Sequence, residues 1–410
     1  MSAPRVGFAG VTHLGINSAA AAAARGFDVV AWHPGGERPA VVEPGLDECL
    51  AQHGRRISFA ASPEALSSCD LVYIAADVPT DDAGASDLAP IRKLIDSVKR
   101  VLGRNALLVV LCQVPPGFTR SLDIPPARLY YQVETLVFGR ALERALNPER
   151  FIVGCADPSV SLPSNFENYL RAFGCPILPM RYESAELAKI AINCCLVSSI
   201  SVANTLAELC EKIGADWGEI VPALKLDKRI GQHAYLAPGL GIAGGNLERD
   251  LATVIRFSRQ FGTDASVVKA WVANSRHRRD WAARTIREVL LEKNPSAVVA
   301  VWGLAYKENT HSTKNSPSLA TIAQLGGATL RLHDPVVRIS NTKIFETPIE
   351  AVRGADGLMI LTPWPQYREI APKEIRSAMR GRAVLDPYAV LDAAGARQAG
   401  LEVHTLGRHA

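Results

Sequence analysis

The sequence predicts an α/β protein built from two doubly wound parallel-sheet domains joined by a long central helix. Three observations predict it. Short apolar runs bounded by turn residues alternate with helical segments toward both ends of the chain, the pattern of strands covered on both faces by crossover helices. Residues 182–213 contain neither Pro nor Gly, and at about 1.5 Å per residue such a helix spans roughly 45 Å, enough to join two lobes. The stretch from Pro238 to Asp250, PGLGIAGGNLERD, holds four glycines, too many for a helix or strand interior and suited to a turn whose backbone approaches a ligand.

The first strand is RVGFA (5–9), followed by GVTHLG (10–15) and the alanine run 19–24. Strand, glycine turn and helix form a dinucleotide cradle, in which a pyrophosphate rests on unpaired N–H groups at the helix N-terminus. Gly10 and Gly15 are the outer glycines, with Thr12 at the middle glycine position and His13 and Leu14 between. The Thr12 side chain limits backbone approach, and its hydroxyl is a candidate phosphate ligand. FDVVAWH (27–33) is the second strand, and His33 ends it where an acidic residue normally holds the adenosine ribose. No arginine adjacent to His33 makes an obvious 2′-phosphate site, and His33 leaves NAD against NADP open.

Further units follow at ISFAAS, DLVYIAADVPT (70–80), a helix near 88–102, ALLVVLCQVPPG (106–117) and RLYYQV (128–133). Val78, Pro79, Thr80 and Gln113 fall after strands, at the carboxyl edge where ligands bind. The long helix ends at Gly214. Its apolar positions run nearly all round, predicting burial, and Lys189 and Asn193 share one face. Helices are expected over 217–226, 246–261 and 264–292, with RHRRD (276–280) as a solvated face. AVVAVWGLAYK (297–307) opens a second, smaller αβ unit, continued by a helix from 317, ATLRLHDP, a helix around 348–353, DGLMILTPW and AVLDPY.

Totals exclude several classes. The 410 residues and 48% hydrophobic content supply sizeable cores for roughly two to four domains. A net charge of +4 demands no nucleic-acid partner. No contiguous run reaches the roughly 18–20 apolar residues of a membrane span, and the N-terminus lacks a signal-peptide pattern, so no membrane role and a cytoplasmic location are expected. The eight cysteines form no metal-spaced cluster; they are expected to be small buried apolar residues, and no metal site is expected.

Taken together, the motifs EPGL (43–46), VPT with GASDL (78–88), VPPG (114–117), Glu134 ahead of Gly139, and NPERFIVG (147–154) resemble the UDP-glucose/GDP-mannose dehydrogenase family. The match continues through AELAKIAIN (185–193), ANTLAELCE (203–211), DKRIG (227–231), PGLGIAGG (238–245), GLAYKENT (303–310) and TPW (362–364), over essentially the whole chain. The resemblance implies a Rossmann-like NAD-binding domain (1–181), a central helical dimerisation domain (182–293) and a nucleotide-sugar-binding domain (294–410). It implies NAD as cofactor, a nucleotide-diphosphate sugar (UDP or GDP) as substrate, and a homodimer or higher homo-oligomer.

That family oxidises a sugar alcohol to a carboxylate with two NAD molecules. A cysteine adds to the intermediate aldehyde, because an aldehyde has no hydride to give until a nucleophile adds. Here Asn246 stands at the nucleophile position, and an amide cannot replace a thiolate. Glu248 and Arg249 replace the usual proline and lysine, and Gln113 a threonine that helps order the hydrolytic water. Phe138 replaces a second carboxylate, Asn315 a charged residue and Tyr388 a sugar-contacting arginine. The retained residues are Glu134, Lys189, Asn193, Arg229, Lys307 and Asp250.

The expected reaction is therefore a two-electron oxidation of a secondary hydroxyl to a ketone on a nucleotide sugar, as suits a long-chain sugar of an antibiotic pathway. Lys189 takes the hydroxyl proton or stabilises the alkoxide, and Asp250 orients Lys189 or a relaying water. Asn246 bonds the substrate oxygen, and Glu134 binds a sugar hydroxyl or the water. Arg229 and Lys307 hold the diphosphate and sugar, Arg229 across a dimer interface, and Gly241 belongs to the substrate loop. Two alternatives remain: an epimerase with retained NAD, and a non-catalytic paralogue that binds nucleotide sugar.

Overall fold

The computed structural model describes residues 3–36, 40–81 and 84–409. The chain divides into two compact units, Met1–Ile192 and Asn193–Ala410. The division falls inside the helix Tyr182–Ile213, and the central helices share a unit with the C-terminal sheet.

The first unit is built on eight strands: β1 (Val6–Ala9), β2 (Val29–Trp32), β3 (Ile57–Ala60), β4 (Leu71–Ile74), β5 (Leu107–Val110), β6 (Leu129–Gln132), β7 (Phe151–Cys155) and β8 (Ile177–Arg181). Their order is β3-β2-β1-β4-β5-β6-β7-β8. The chain reverses direction across the sheet between β1 and β4, which opens a crevice at their carboxyl ends. Every residue of β1, β2, β4 and β5 is buried, which is why these strands read as unbroken apolar runs. One pairing departs from the all-parallel expectation: β7 runs antiparallel to β6, with Tyr131 opposite Gly154. The chain between them contains only the short helix Ala141–Leu146 and returns from the edge it reached, whereas a parallel pairing needs a full crossover.

The second unit carries β9 (Val298–Trp302), β10 (Thr329–His333), β11 (Gly357–Ile360), β12 (Ala383–Leu385) and β13 (Glu402–His404) in the all-parallel order β10-β9-β11-β12-β13. Trp302 is fully buried and donates its indole N–H to the Pro348 carbonyl at 3.0 Å. Three further helices matter below: Trp217–Leu226, Asn246–Phe261 and Ser266–Arg279.

The long helix departs from one expectation. It is not buried all round: Val202, Leu206, Leu209 and Ile213 are exposed, and their 4-3-4 spacing puts them on one face. By length and composition alone it is also apolar enough to cross a membrane, as are many core helices: an 18-residue window within it has mean hydropathy 1.7, and 39% of that window is buried. Counting consecutive apolar residues passes over it, because Lys, Asn and Ser interrupt the run while the surrounding Ile, Leu, Val, Cys and Ala keep the mean high. Two smaller expectations also fail. Arg278 of RHRRD is fully buried against Glu208 and Glu211, at 3.2 and 3.0 Å, and Cys195 is exposed.

Candidate functional site

The cradle forms where β1 meets the helix His13–Ala24. Gly10 has φ +88°, and a Cβ there would lie 2.7 Å from that of Ala76; at Gly15 it would lie 2.5 Å from the Gly10 carbonyl oxygen. Only glycine lets the turn close this tightly. The helix has no side-chain cap and no acid in its first turn, so its N-terminal N–H groups suit an anion. These features fit a dinucleotide pyrophosphate.

The Thr12 hydroxyl accepts the Asp77 N–H at 2.9 Å, which ties the turn to the segment after β4 and leaves the O–H as a donor. The His13 side chain is likewise engaged: Nε2 lies 2.8 Å from Glu43, and its ring packs on Phe138 with centroids 4.3 Å apart. Leu14 is buried in the core. Val78, Pro79 and Thr80 follow β4, with Thr80 bridged to Ser86 and the Pro79 carbonyl accepting Asp87 N–H at 2.9 Å. Gln113 follows β5, partly exposed.

Two carboxylates escaped the sequence reading. Buried Glu43 accepts N–H groups of Gly139 at 3.1 Å and Ala141 at 2.7 Å besides meeting His13, so it joins the helix start to the loop after β6. Glu186, fully buried, accepts N–H groups of Gly117 at 2.6 Å and Thr119 at 2.8 Å, fixing the VPPG loop on the long helix; burial pushes its pKa up. The available signal was an acid inside each motif, EPGL and AELAKIAIN.

Glu134 and Lys189 come together. The Lys189 ammonium lies 3.4 Å from the Glu134 carboxylate, with the side chains 12% and 16% exposed. Glu134 is also held by the Leu136 N–H. Asn193, one helical turn beyond Lys189, belongs to the second unit, where its amide donates to buried Asp250. The Arg249 guanidinium stands 3.6 Å from the other Asp250 oxygen. Cys194, beside this pair, has its thiol pushed up to about 11, first by burial and then by the Asp250 charge.

The glycine stretch is a fixed loop. At Gly241, φ is +76° and a Cβ would lie 2.5 Å from the Ser275 carbonyl oxygen; at Gly244, φ is +88° and it would lie 2.7 Å from the Tyr306 ring. Ile242 N–H donates to the Ser275 hydroxyl at 2.9 Å, Gly239 N–H to Asn204 at 2.8 Å, and Gly244 N–H to the Lys314 carbonyl at 3.1 Å. Asn246 is the exposed first residue of the following helix. Glu248 accepts the Gly245 N–H at 2.9 Å and the Asn315 amide at 2.8 Å on one oxygen, so two of the substituted positions bond each other. Tyr388, a third, lies against Gly239 and bonds the Leu240 backbone; burial pushes its pKa up. Lys307 has its ammonium 5.7 Å from the Tyr306 ring centroid. Arg229 stands exposed after Trp217–Leu226, with its guanidinium 2.6 Å from Asp227. His33 follows β2, half-buried. Among the described residues no group of three His, Cys, Asp or Glu is placed to hold a metal ion.

Models of the UDP-glucose/GDP-mannose dehydrogenase family match three segments: its NAD binding domain over residues 4–165, its central domain over 183–276 and its UDP binding domain over 300–393. A UDP-glucose 6-dehydrogenase of Pseudomonas aeruginosa is 28% identical over 404 residues, covering 91% of this chain and 88% of that protein. A solved UDP-glucose dehydrogenase of Pyrobaculum islandicum superposes with a TM-score of 0.85 at 28% identity, covering 100% of this chain and 98% of the other. A UDP-D-ManNAc dehydrogenase of Pyrococcus horikoshii, at 22% identity and TM-score 0.84 over 98% of this chain and 99% of its own, shares the fold. The chain belongs to the UDP-glucose/GDP-mannose dehydrogenase family and is an NAD-dependent oxidoreductase.

Proposed function

We propose that the chain oxidises a hydroxyl of a nucleotide-diphosphate sugar by two electrons and stops there, leaving a ketone. One observation carries this reading. Asn246 occupies the loop position at which the family resemblance expects a thiol, while the Cys194 thiol, beside Asp250, is pushed up to about 11 and is protonated near neutral pH. With an amide at that position, the loop offers an aldehyde no thiolate, and an acyl-enzyme has no route there. A secondary hydroxyl fits best, because a ketone cannot proceed to an acid; a sugar extended beyond C6, as in antibiotic pathways, carries one.

The glycine turn between Gly10 and Gly15 would hold NAD by its pyrophosphate, and NAD would supply a hydride acceptor for the carbinol carbon. Lys189 either takes the hydroxyl proton as a neutral amine or, as the ammonium that the Glu134 carboxylate 3.4 Å away holds in place, stabilises the alkoxide. Asp250, positioned by Asn193 and Arg249, orients a relaying water, and Asn246 bonds the substrate oxygen. Lys307 and Arg229 pair with the diphosphate, beside Gly241 and Tyr388 of the substrate loop. These roles divide the chain functionally into 1–181, 182–293 and 294–410.

Product analysis decides the reading. One NADH per sugar and a product lighter by two hydrogens are expected. Two NADH and a carboxylate product overturn it.

The exposed face of the long helix supports a homodimer. Val202, Leu206, Leu209 and Ile213 form a contiguous apolar stripe that water would otherwise cover. Leu206→Glu is expected to shift light scattering from dimer to monomer; an unchanged dimer removes this helix from the interface. Among the described residues no disulfide joins the eight free cysteines, in keeping with a cytoplasmic location.

A further inference from the structure

We propose that His33 leaves the adenosine-ribose end of the dinucleotide site open to a 2′-phosphate, so that the chain binds NADP(H) as well as NAD(H). This rests on the NAD reading of the first sheet and concerns its breadth. β2 ends at Trp32, whose carbonyl accepts the Gly10 N–H at 2.9 Å, so residue 33 is the first past the strand beside the glycine turn. In dinucleotide folds an Asp or Glu near this strand end accepts a hydrogen bond from the ribose 2′-hydroxyl. An ionised carboxylate can only accept, so it holds a hydroxyl and repels a phosphate.

His33 changes both properties. Its ring is half-buried, and Nδ1 is shut away from solvent with no hydrogen-bond partner. Burial pushes its pKa below the usual imidazole value, which keeps the ring neutral at neutral pH. A proton on Nδ1 would be a buried donor without an acceptor, so we assign the single ring proton to Nε2. The residue therefore offers a neutral donor in place of a charged acceptor. A ribose hydroxyl oxygen and a phosphate oxygen both accept from it, and neither is repelled.

Titration of the protein with NADH and with NADPH, followed by nicotinamide fluorescence, tests this without turnover. Wild type is expected to bind the two within about tenfold of each other, and His33→Asp to retain NADH while weakening NADPH about a hundredfold, the scale of a like-charge penalty. His33→Asn, a neutral donor, is expected to keep the narrow ratio. A wild-type preference for NADH of about a hundredfold or more, or an unchanged ratio in the folded His33→Asp variant, overturns the proposal. Should His33→Asp not fold, the wild-type ratio and His33→Asn decide it. Failure of wild type to bind NADH overturns the cofactor site itself, a separate result.

Discussion

Lys189→Met lowers kcat by about 10²–10³, the equivalent of roughly 3–4 kcal/mol of transition-state stabilisation, while KM for the nucleotide sugar changes little. The lysine is half of a sequestered ion pair with Glu134 and is held on the 32-residue helix Tyr182–Ile213, so its ammonium is fixed in place before substrate arrives. Methionine keeps the length and apolar stem and removes only the charge and donors. Glu134→Gln is the companion variant. It keeps an acceptor for the Leu136 N–H and loses the charge opposite Lys189, so its effect is smaller, about tenfold in kcat. Steady-state rates at saturating NAD, with melting curves to establish folding, check both. A Lys189→Met enzyme that retains wild-type kcat removes the lysine from proton handling.

Gly241→Ala distorts the glycine loop and destabilises the second unit. Two costs add. A left-handed φ at a non-glycine residue costs about 1–2 kcal/mol. The new methyl would also lie 2.5 Å from the Ser275 carbonyl and 2.8 Å from its hydroxyl, breaking the Ile242 N–H bond to that hydroxyl, worth about 0.5–1.5 kcal/mol. The sum, about 1.5–3.5 kcal/mol, lowers Tm by about 3–14 °C for a unit of this size, measurable by calorimetry. Gly239→Ala is the control, since its Cβ would meet Tyr388 at an ordinary 3.8 Å and its φ is not left-handed. Equal losses at both positions remove the Ser275 contact as the cause.

The contrast between those glycines also marks what a sequence reader can see. Both sit in one conspicuous run, and the run is legible as a ligand loop, but only the fold puts Ser275 behind the first and Tyr388 beside the second. Buried strands such as β1 and β5 announce themselves, because four consecutive core residues have no other use. β8 does not: it is an edge strand with partly exposed residues and a proline, Pro179. β13, of three residues, is too short to carry a pattern. Thr12 and His13 were legible as members of the phosphate turn. Their side-chain roles were not, because Asp77 and Glu43, which claim them, lie 65 and 30 residues away. Lys189 and Glu134 were legible as residues of the family pattern, and the structure adds their pairing.

The bond between Glu248 and Asn315 has a consequence for anyone rebuilding the loop. Asn246→Cys alone would install a thiol on a loop still tied through Glu248 to Gly245 and Asn315. Proline at 248 would sever both bonds at once and leave the Asn315 amide to find another acceptor. The positions are energetically non-additive, so a graft from a four-electron relative has to exchange the loop and the segment around Asn315 as one block, in a single step.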